Sequence, residues 1–355
     1  MDIYEISFYN EFKCLMGDCR ETCCRGWMIP VTEEDLDRFR KTKGVYKLRL
    51  LTEISDREIR CFNRGSRTCT FHTKEGLCSL QQRYGHDFIP EACRMFPRFY
   101  RNYGPFEEHY LDLSCIGAAS LFLKHSHELT LTKTTGSPLS EMCTTNDDTG
   151  LLNELTGLRN AAIEQLAAVT SFDKLEVTIG YIYEQSVQLQ ETFLNTGRQI
   201  QKRRKLFPPA SDFLSDIMST SFYNIHLKQT NPSLFALCRL YHNTFKPIMA
   251  SNDEWNKMLG NFTEKHPDSA HFFAAYMSYY LYLYYLRSYE DYSFIKNATI
   301  GIIHLNMLFM FSVLYERKHD SFTADDMSNI IAVYNRRAYF NEETVNEMYS
   351  CMLPE

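Results

Sequence analysis

No G-x-G occurs among the fifteen glycines of this chain, so the glycine-rich turn that cradles a nucleotide cofactor behind a strand is missing. Long apolar runs are missing too. The most apolar stretch, Ile300 to Tyr315, is interrupted by Gly301, His304 and Asn306 and falls short of the roughly 20 residues a membrane span needs, so it reads as a buried helix. The start, Met1-Asp2-Ile3-Tyr4-Glu5, has neither the basic nor the apolar region of a secretory signal. Together these absences predict a cytoplasmic protein with no membrane partner. There is no excess of positive charge: residues 1 to 125 hold 19 Lys/Arg against 18 Asp/Glu and the remainder 19 against 26, which argues against nucleic acid as a partner. The one basic run, Lys202-Arg203-Arg204-Lys205 before Phe207-Pro208-Pro209, reads as a solvated helix end.

What the chain has in plenty is cysteine, unevenly placed. Cys14, Cys19, Cys23 and Cys24 fall within eleven residues, and Cys61, Cys69, Cys78, Cys93 and Cys115 follow, so nine of the twelve cysteines crowd the first third. Thiolates a few residues apart can converge on one soft ion or iron-sulfur cluster, whereas disulfide partners need no such clustering. A disulfide framework suits small secreted domains, and a chain of 355 residues buries a sizeable core without staples. Cys143, Cys238 and Cys351 stand alone and read as inert buried thiols. The first array is C-x4-C-x3-C-C. Adjacent cysteines in extended backbone point to opposite sides, so Cys23 and Cys24 are expected to serve different ions, or one to bind while the other packs.

The expected fold is mainly α: a small cysteine-rich metal-cluster domain of short strands and loops over residues 1–124, a polar linker over 125–150 and an all-helical domain over 151–355. Thr32-Glu33-Glu34-Asp35 has the form of a helix N-cap, and Lys41, Lys43 and Gly44 supply the matching stop, which predicts a helix over 33–43. Residues 125–150 are polar and threonine-rich, with no regular period. Beyond them, apolar residues recur at three- and four-residue steps over 151–168, 173–204, 210–225, 233–241, 270–287, 297–317, 324–337 and 342–352.

The second array runs Cys69-Thr70-Phe71-His72, Gly76-Leu77-Cys78, then Pro90-Glu91-Ala92-Cys93-Arg94-Met95-Phe96-Pro97. In these residues the chain resembles the cysteine-rich zinc- or iron-chelating proteins known by a CxxCxxCC motif, although the first array departs from that strict spacing. Within that group, Asp18-Cys19, Thr22-Cys23-Cys24, Gly26-Trp27, Cys61 and Leu113-Ser114-Cys115 together are similar to the flagellin lysine N-methylase family. The resemblance implies methyl transfer from S-adenosylmethionine to lysine side chains of flagellin, a 4Fe-4S cluster, and a helical domain that recognises the substrate. The radical-type C-x3-C-x2-C triplet is incomplete, because Cys19-x3-Cys23 would need a cysteine at Gly26. Four thiolates saturate a 4Fe-4S cluster and three leave one iron open, while four thiolates suit zinc as well, so spacing leaves both metals open. The alternative to the enzyme is a non-catalytic zinc- or iron-binding protein.

Beyond the nine cysteines, Arg94, Arg98 and Asp18 are candidates for cofactor binding: either guanidinium could hold a carboxylate, and Asp18 a ribose or an ammonium group. His72, three residues after Cys69, is either a ligand or a turn residue. Tyr276, Tyr279, Tyr280, Tyr282, Tyr284, Tyr285, Tyr289 and Tyr292 put eight tyrosines in seventeen residues, spread too far around a helix to face one pocket, so most are expected to be core and a few to line a lysine channel. No catalytic residue is singled out.

Overall fold

The computed structural model describes residues 1–25, 28–55, 60–62, 68–140, 143–194 and 252–338. The helices expected over 210–225, 233–241 and 342–352 lie outside the described residues, as do Cys238 and Cys351. Seven strands are described: β1 (Asp2–Ile6), β2 (Ile29–Pro30), β3 (Ile54–Ser55), β4 (Cys61–Phe62), β5 (Arg98–Asn102), β6 (Phe106–Leu111) and β7 (Leu131–Thr135). Five helices lie in the first third: α1 (Glu33–Arg40), α2 (Val45–Glu53), α3 (Ser79–Tyr84), α4 (Glu91–Met95) and α5 (Ile116–Lys124). The rest is helical, with α6 (Thr149–Ala167), α7 (Phe172–Leu194), α8 (Asn252–Lys265), α9 (Ser269–Tyr284), α10 (Ser288–Asp291), α11 (Phe294–His319) and α12 (Ala324–Ala338). The protein is mainly α with two small sheets.

The first helix begins where the sequence predicts. Thr32 Oγ1 accepts the backbone N–H of Asp35 at 3.1 Å, and the Asp35 carboxylate accepts that of Thr32 at 3.2 Å, a reciprocal cap that satisfies two of the first-turn donors. Asp148 caps α6 with a single bond, taking the Leu151 N–H at 2.9 Å. At its far end α11 carries Arg317, Lys318 and His319 against the negative pole of the helix and stops at Asp320 in the left-handed conformation. By length and composition α11 could cross a membrane, yet 94% of its most apolar window is buried inside the protein. It packs against α7, α9 and α12. Gly301 permits this, because the Tyr280 ring stands 2.5 Å from where a Cβ would be.

The larger sheet has the order β5-β6-β1-β7, with β1 parallel to β6 and antiparallel to β7. The threonine-rich stretch read as linker thus contains β7, whose β-branched residues suit an exposed edge strand. Strand β6 is buried on both faces, so its polar side chains are paired. On one face the His109 ring reaches Glu5 at 3.0 Å and Glu107 at 2.7 Å, and the Glu107 carboxylate accepts the backbone N–H groups of Leu139 and Ser140. On the other, Glu108 receives both terminal nitrogens of Arg159 from α6, at 2.9 and 2.7 Å.

Two hydrophobic cores result. The larger joins Ile6, Phe8 and Phe12 to β6, α5 and the helices from α6 to α12. The smaller, built of Ile29, Val31, Leu36, Phe39, Leu50, Phe62, Phe71, Leu80 and Ile89, lies wholly between β1 and β5 in sequence.

Candidate metal centre

The cysteines of the second array are set by the elements around the smaller core, against which Cys69, Cys78 and Cys93 pack. A tight hairpin brings the first two together: His72 and Cys78 form an antiparallel bridge, Thr73 N–H bonds Leu77 O at 2.8 Å, and Gly76 takes a positive φ at the turn. Cys69 is held to the first array by its N–H, which donates to Cys24 O at 2.7 Å. Cys78 immediately precedes α3 and Cys115 immediately precedes α5. At these positions backbone N–H groups point at the sulfur: Cys78 receives those of Leu80 and Gln81, and Cys115 those of Gly117 and Ala118. Cys69 receives that of Phe71. Such hydrogen bonds favour the thiolate form that a metal requires. Cys93 sits on α4, whose first N–H donates to both oxygens of the buried Asp35 at 3.2 Å. One carboxylate therefore caps α1 and α4 together.

The first array reaches the same place by a different route. Gly17 and Gly76 lie back to back, and a Cβ on Gly76 would stand 3.2 Å from Gly17 O. Only glycines let the loop of Cys14 and Cys19 approach the 71–78 hairpin so closely. Cys19 and Cys115 pack against the larger core. Cys23 and Cys24 occupy a turn rather than extended backbone, so the expectation that they point to opposite sides is corrected: their side chains hydrogen-bond each other.

Eight thiols form one constellation at the seam of the two cores. Cys24, Cys69, Cys78 and Cys93 interact electrostatically in every pairing, as do Cys14, Cys19 and Cys115, and Cys23 interacts with members of both groups. Burial pushes the thiols of Cys19, Cys78 and Cys93 upward, that of Cys69 to about 12 and that of Cys115 to about 11. Their mutual hydrogen bond raises Cys23 and lowers Cys24, which Thr22 and the Arg336 charge lower further. Most of these sulfurs are neutral until a cation arrives and displaces their protons. As they stand, no three Cys, His, Asp or Glu side chains among the described residues are gathered tightly enough to hold a single metal ion. The ten described cysteines are all free thiols.

Cys61 stands apart. It lies in β4 opposite Pro30 and Ser55 and is buried, and none of the eight thiols is found to interact with it. Cys143, expected to be buried, is exposed. Arg94 Nε is buried beside Cys93 with no hydrogen-bond partner among the described residues. Arg98 instead lies over the rings of Tyr9 and Phe12, at 5.7 and 5.5 Å from their centroids. Asp18 is exposed on the turn Met16–Asp18 just before Cys19. His72 Nε2 is buried without a hydrogen-bond partner among the described residues, and burial lowers its affinity for a proton, so the ring is neutral and able to act as a ligand. Of the eight tyrosines only Tyr292 is exposed, and those of Tyr276, Tyr279, Tyr280 and Tyr289 donate their hydroxyls to Asn335, Leu111, Asn297 and Asn146. That segment is core.

Two residues that matter here are invisible to a motif search. Asp35 reads in sequence as an ordinary first-turn acid. Arg336, on α12, lies more than 200 residues from its partners: it donates to Glu21 O at 2.7 Å, Ser114 O at 3.1 Å and Thr22 O at 3.2 Å, and pairs with the Glu21 carboxylate at 3.4 Å. One guanidinium thereby ties the loop of Cys19, Cys23 and Cys24 to the residue before Cys115.

Comparison with known proteins finds distant likenesses. Over 144 residues the chain is 23% identical to the Lysine-N-methylase of Salmonella typhimurium (strain LT2), a match that covers 38% of this chain and 35% of that protein. The Lysine-N-methylase of Salmonella choleraesuis gives the same figures. Flagellar biosynthetic protein FliU of Salmonella muenchen is 22% identical over 140 residues, or 36% of this chain and 81% of that protein. The chain therefore spans only about a third of the length of the two methylases it matches. No protein-family model matches the chain, and no solved structure does.

Proposed function

We propose that this protein is a cytoplasmic lysine N-methyltransferase that acts on flagellin, with S-adenosylmethionine as the methyl donor and an iron-sulfur cluster held by its N-terminal thiols. The observation that carries the reading is the gathering of eight free thiols, several with backbone N–H groups aimed at sulfur, in a chain distantly related to proteins named for lysine methylation and flagellar biosynthesis. The donor set fits a thiophilic group. Sulfurs sharing one tetrahedral zinc sit roughly 3.8 Å apart, from Zn–S bonds of about 2.3 Å. Clustered thiolates suit a polynuclear cluster as well, whose ligands sit on different irons.

In the net reaction a methyl group passes from the sulfonium sulfur to a lysine Nζ, leaving a thioether and releasing a proton. When bound, the cluster would supply an electron or a coordination position for the donor. The chain's own residues would do the rest. Cys69, Cys78 and Cys115, hydrogen-bonded by backbone N–H groups, would hold metal as thiolates, and the unpartnered Arg94 Nε would receive the donor's carboxylate. Asp18, exposed beside Cys19, would meet the substrate ammonium group. A non-catalytic metal-binding role is the second reading, favoured by the tyrosine-rich helix, which offers core packing where a lysine channel was expected.

The test is co-expression with flagellin followed by intact-mass and peptide mass spectrometry, beside anaerobic purification with iron, sulfide and zinc analysis. Flagellin lysines gaining whole methyl groups, with loss of the gain in Cys93→Ser and its retention in Cys61→Ser, are the expected outcome. Unmodified flagellin beside a metal-loaded protein would favour the second reading.

A further inference from the structure

We infer that Arg101, Tyr103 and Arg159 form a binding site for a small carboxylate, on the helix-covered face of the β5–β6 hairpin. The inference goes beyond the proposed methyl transfer and uses none of the thiols.

The strand register brings these side chains together. Arg101 lies opposite Glu108 across the ladder, and the Tyr103 N–H continues that ladder to Phe106 O at 2.9 Å, so Arg101, Tyr103, Glu108 and Tyr110 share one face. Arg159 closes the face from α6. Its two terminal nitrogens are taken by the Glu108 carboxylate at 2.9 and 2.7 Å, and its Cζ lies over the Tyr282 ring, 5.4 Å from the centroid. The Tyr103 hydroxyl sits beside the Arg101 guanidinium and within reach of the Arg159 and Glu108 charges.

What this packing leaves is a surplus of donors. Arg101 Nη1, the Tyr103 hydroxyl and Arg159 Nε are all buried and have no hydrogen-bond partner among the described residues. Tyr103 and Arg159 are only 1% and 2% exposed. A guanidinium has no lone pair to offer, so Arg101 gives the Tyr103 proton no acceptor, and Glu108 already takes Arg159 twice and the Tyr110 hydroxyl once. Charge points the same way. Two guanidiniums meet one buried carboxylate on this face, an excess of one positive charge, and Glu290 beside Arg101 is exposed at the rim. One carboxylate supplies the missing negative charge and enough lone pairs for all three donors. A phosphate dianion would bring a second charge against Glu108 and Glu290. Arg101 is half-buried, with its Cζ 5.4 Å from the Phe99 centroid, so the site reaches solvent on that side beside an aromatic ring that suits the apolar end of an organic acid.

Acetate is the probe, titrated into the full chain at neutral pH and constant ionic strength, with chloride and phosphate as comparison anions. Binding to the folded state raises the thermal midpoint saturably, and the linewidth of carbon-13 acetate reports the contact directly. Wild type is expected to show both effects with acetate, and Arg101→Gln and Tyr103→Phe to bind it about 10- to 100-fold more weakly, since each loses a hydrogen bond to a charged group. Tyr103→Phe deletes only an unpartnered hydroxyl, so it folds and keeps the test decisive if Arg101→Gln does not. A wild-type response to acetate no larger than to chloride, phosphate bound more tightly than acetate, or undiminished acetate binding by folded Tyr103→Phe would each overturn the assignment. Flagellin methylation without an acetate response counts against this site alone, and an acetate response without methylation against the proposed activity alone.

Discussion

Removing the Arg336 guanidinium should loosen the thiol constellation without touching a single cysteine. The side chain is 12% exposed and makes four hydrogen bonds, three of them to backbone carbonyls of residues within two positions of a cysteine. A hydrogen bond to a charged group contributes about 1.5 to 3 kcal/mol, but bonds from one guanidinium are not additive, and water replaces some of them. Truncating one partner of a mostly buried pair typically costs about 3 kcal/mol, so Arg336→Ala should destabilise the metal-free protein by roughly that amount. The tie spans Glu21, Thr22 and Ser114, so the geometry at Cys19 and Cys115 suffers directly. Loss of such a supporting contact weakens metal affinity by about 10- to 100-fold. Arg336→Lys keeps the charge but not the planar fork, and should fall between the two. The assays are urea unfolding of the metal-free chain by circular dichroism, and competition for bound metal by a chelator. A variant within about 0.5 kcal/mol of wild type, the ordinary scatter of surface substitutions, with an unchanged chelator midpoint would refute the reasoning.

Two further outcomes concern the fold. Arg159→Met strands the Glu108 carboxylate against Tyr110 in the larger core and should cost about 3 to 5 kcal/mol in urea unfolding, while adding Glu108→Gln should recover much of that loss, since the uncompensated charge disappears. His304, wholly buried on α11 with its ring against the Tyr334 hydroxyl at 2.7 Å, has its pKa pushed down by burial from 6.5 to about 3. A depressed histidine is protonated first in the unfolded chain, so its contribution is intact above about pH 6.5 and is lost as pH falls toward 3. Stability should drop by about 2 kcal/mol between pH 7 and 5 from this group, and His304→Phe should flatten that limb; an unchanged slope would show that the acid sensitivity lies elsewhere.

That the clustered cysteines would meet was legible in the sequence, and the way the fold arranges them was not. Clustering at short spacing is a local signal, and eight of the nine cysteines it marked do come together. Cys61 carries the same local signal but lies on a short strand where the chain turns it away, a fact of tertiary pairing. The Cys23-Cys24 pair was misread because a turn had to be distinguished from extended backbone, and that turn depends on the bridge between Arg25 and Thr68, 43 residues apart. Five of the long helices were visible in their three- and four-residue period, with the starts of α6 and α12 placed to within two residues, whereas α8 was not expected. The strand within 131–135 was hidden by its threonines, which read as loop by composition and as strand only once β1 lies beside them.

The same long-range contacts explain why the helical half bears on the thiol constellation. The smaller core is clipped into the chain between β1 and β5, which flank β6 in one sheet, so its two ends are fixed by strands of the larger core. Phe8, just after β1, stacks on Tyr279 of α9 at 6.1 Å, and Phe122 of α5 meets the same ring at 5.3 Å. Cys115 precedes α5, and α5 packs against α12, which carries Arg336. Cys19 and Cys115 therefore depend on α5, α9 and α12 for their placement, whereas Cys69, Cys78 and Cys93 rest on Asp35, the 71–78 hairpin and the smaller core. Disturbance of the helical body should reach Cys19 and Cys115 before the other thiols, because the contacts that set their positions end on those helices.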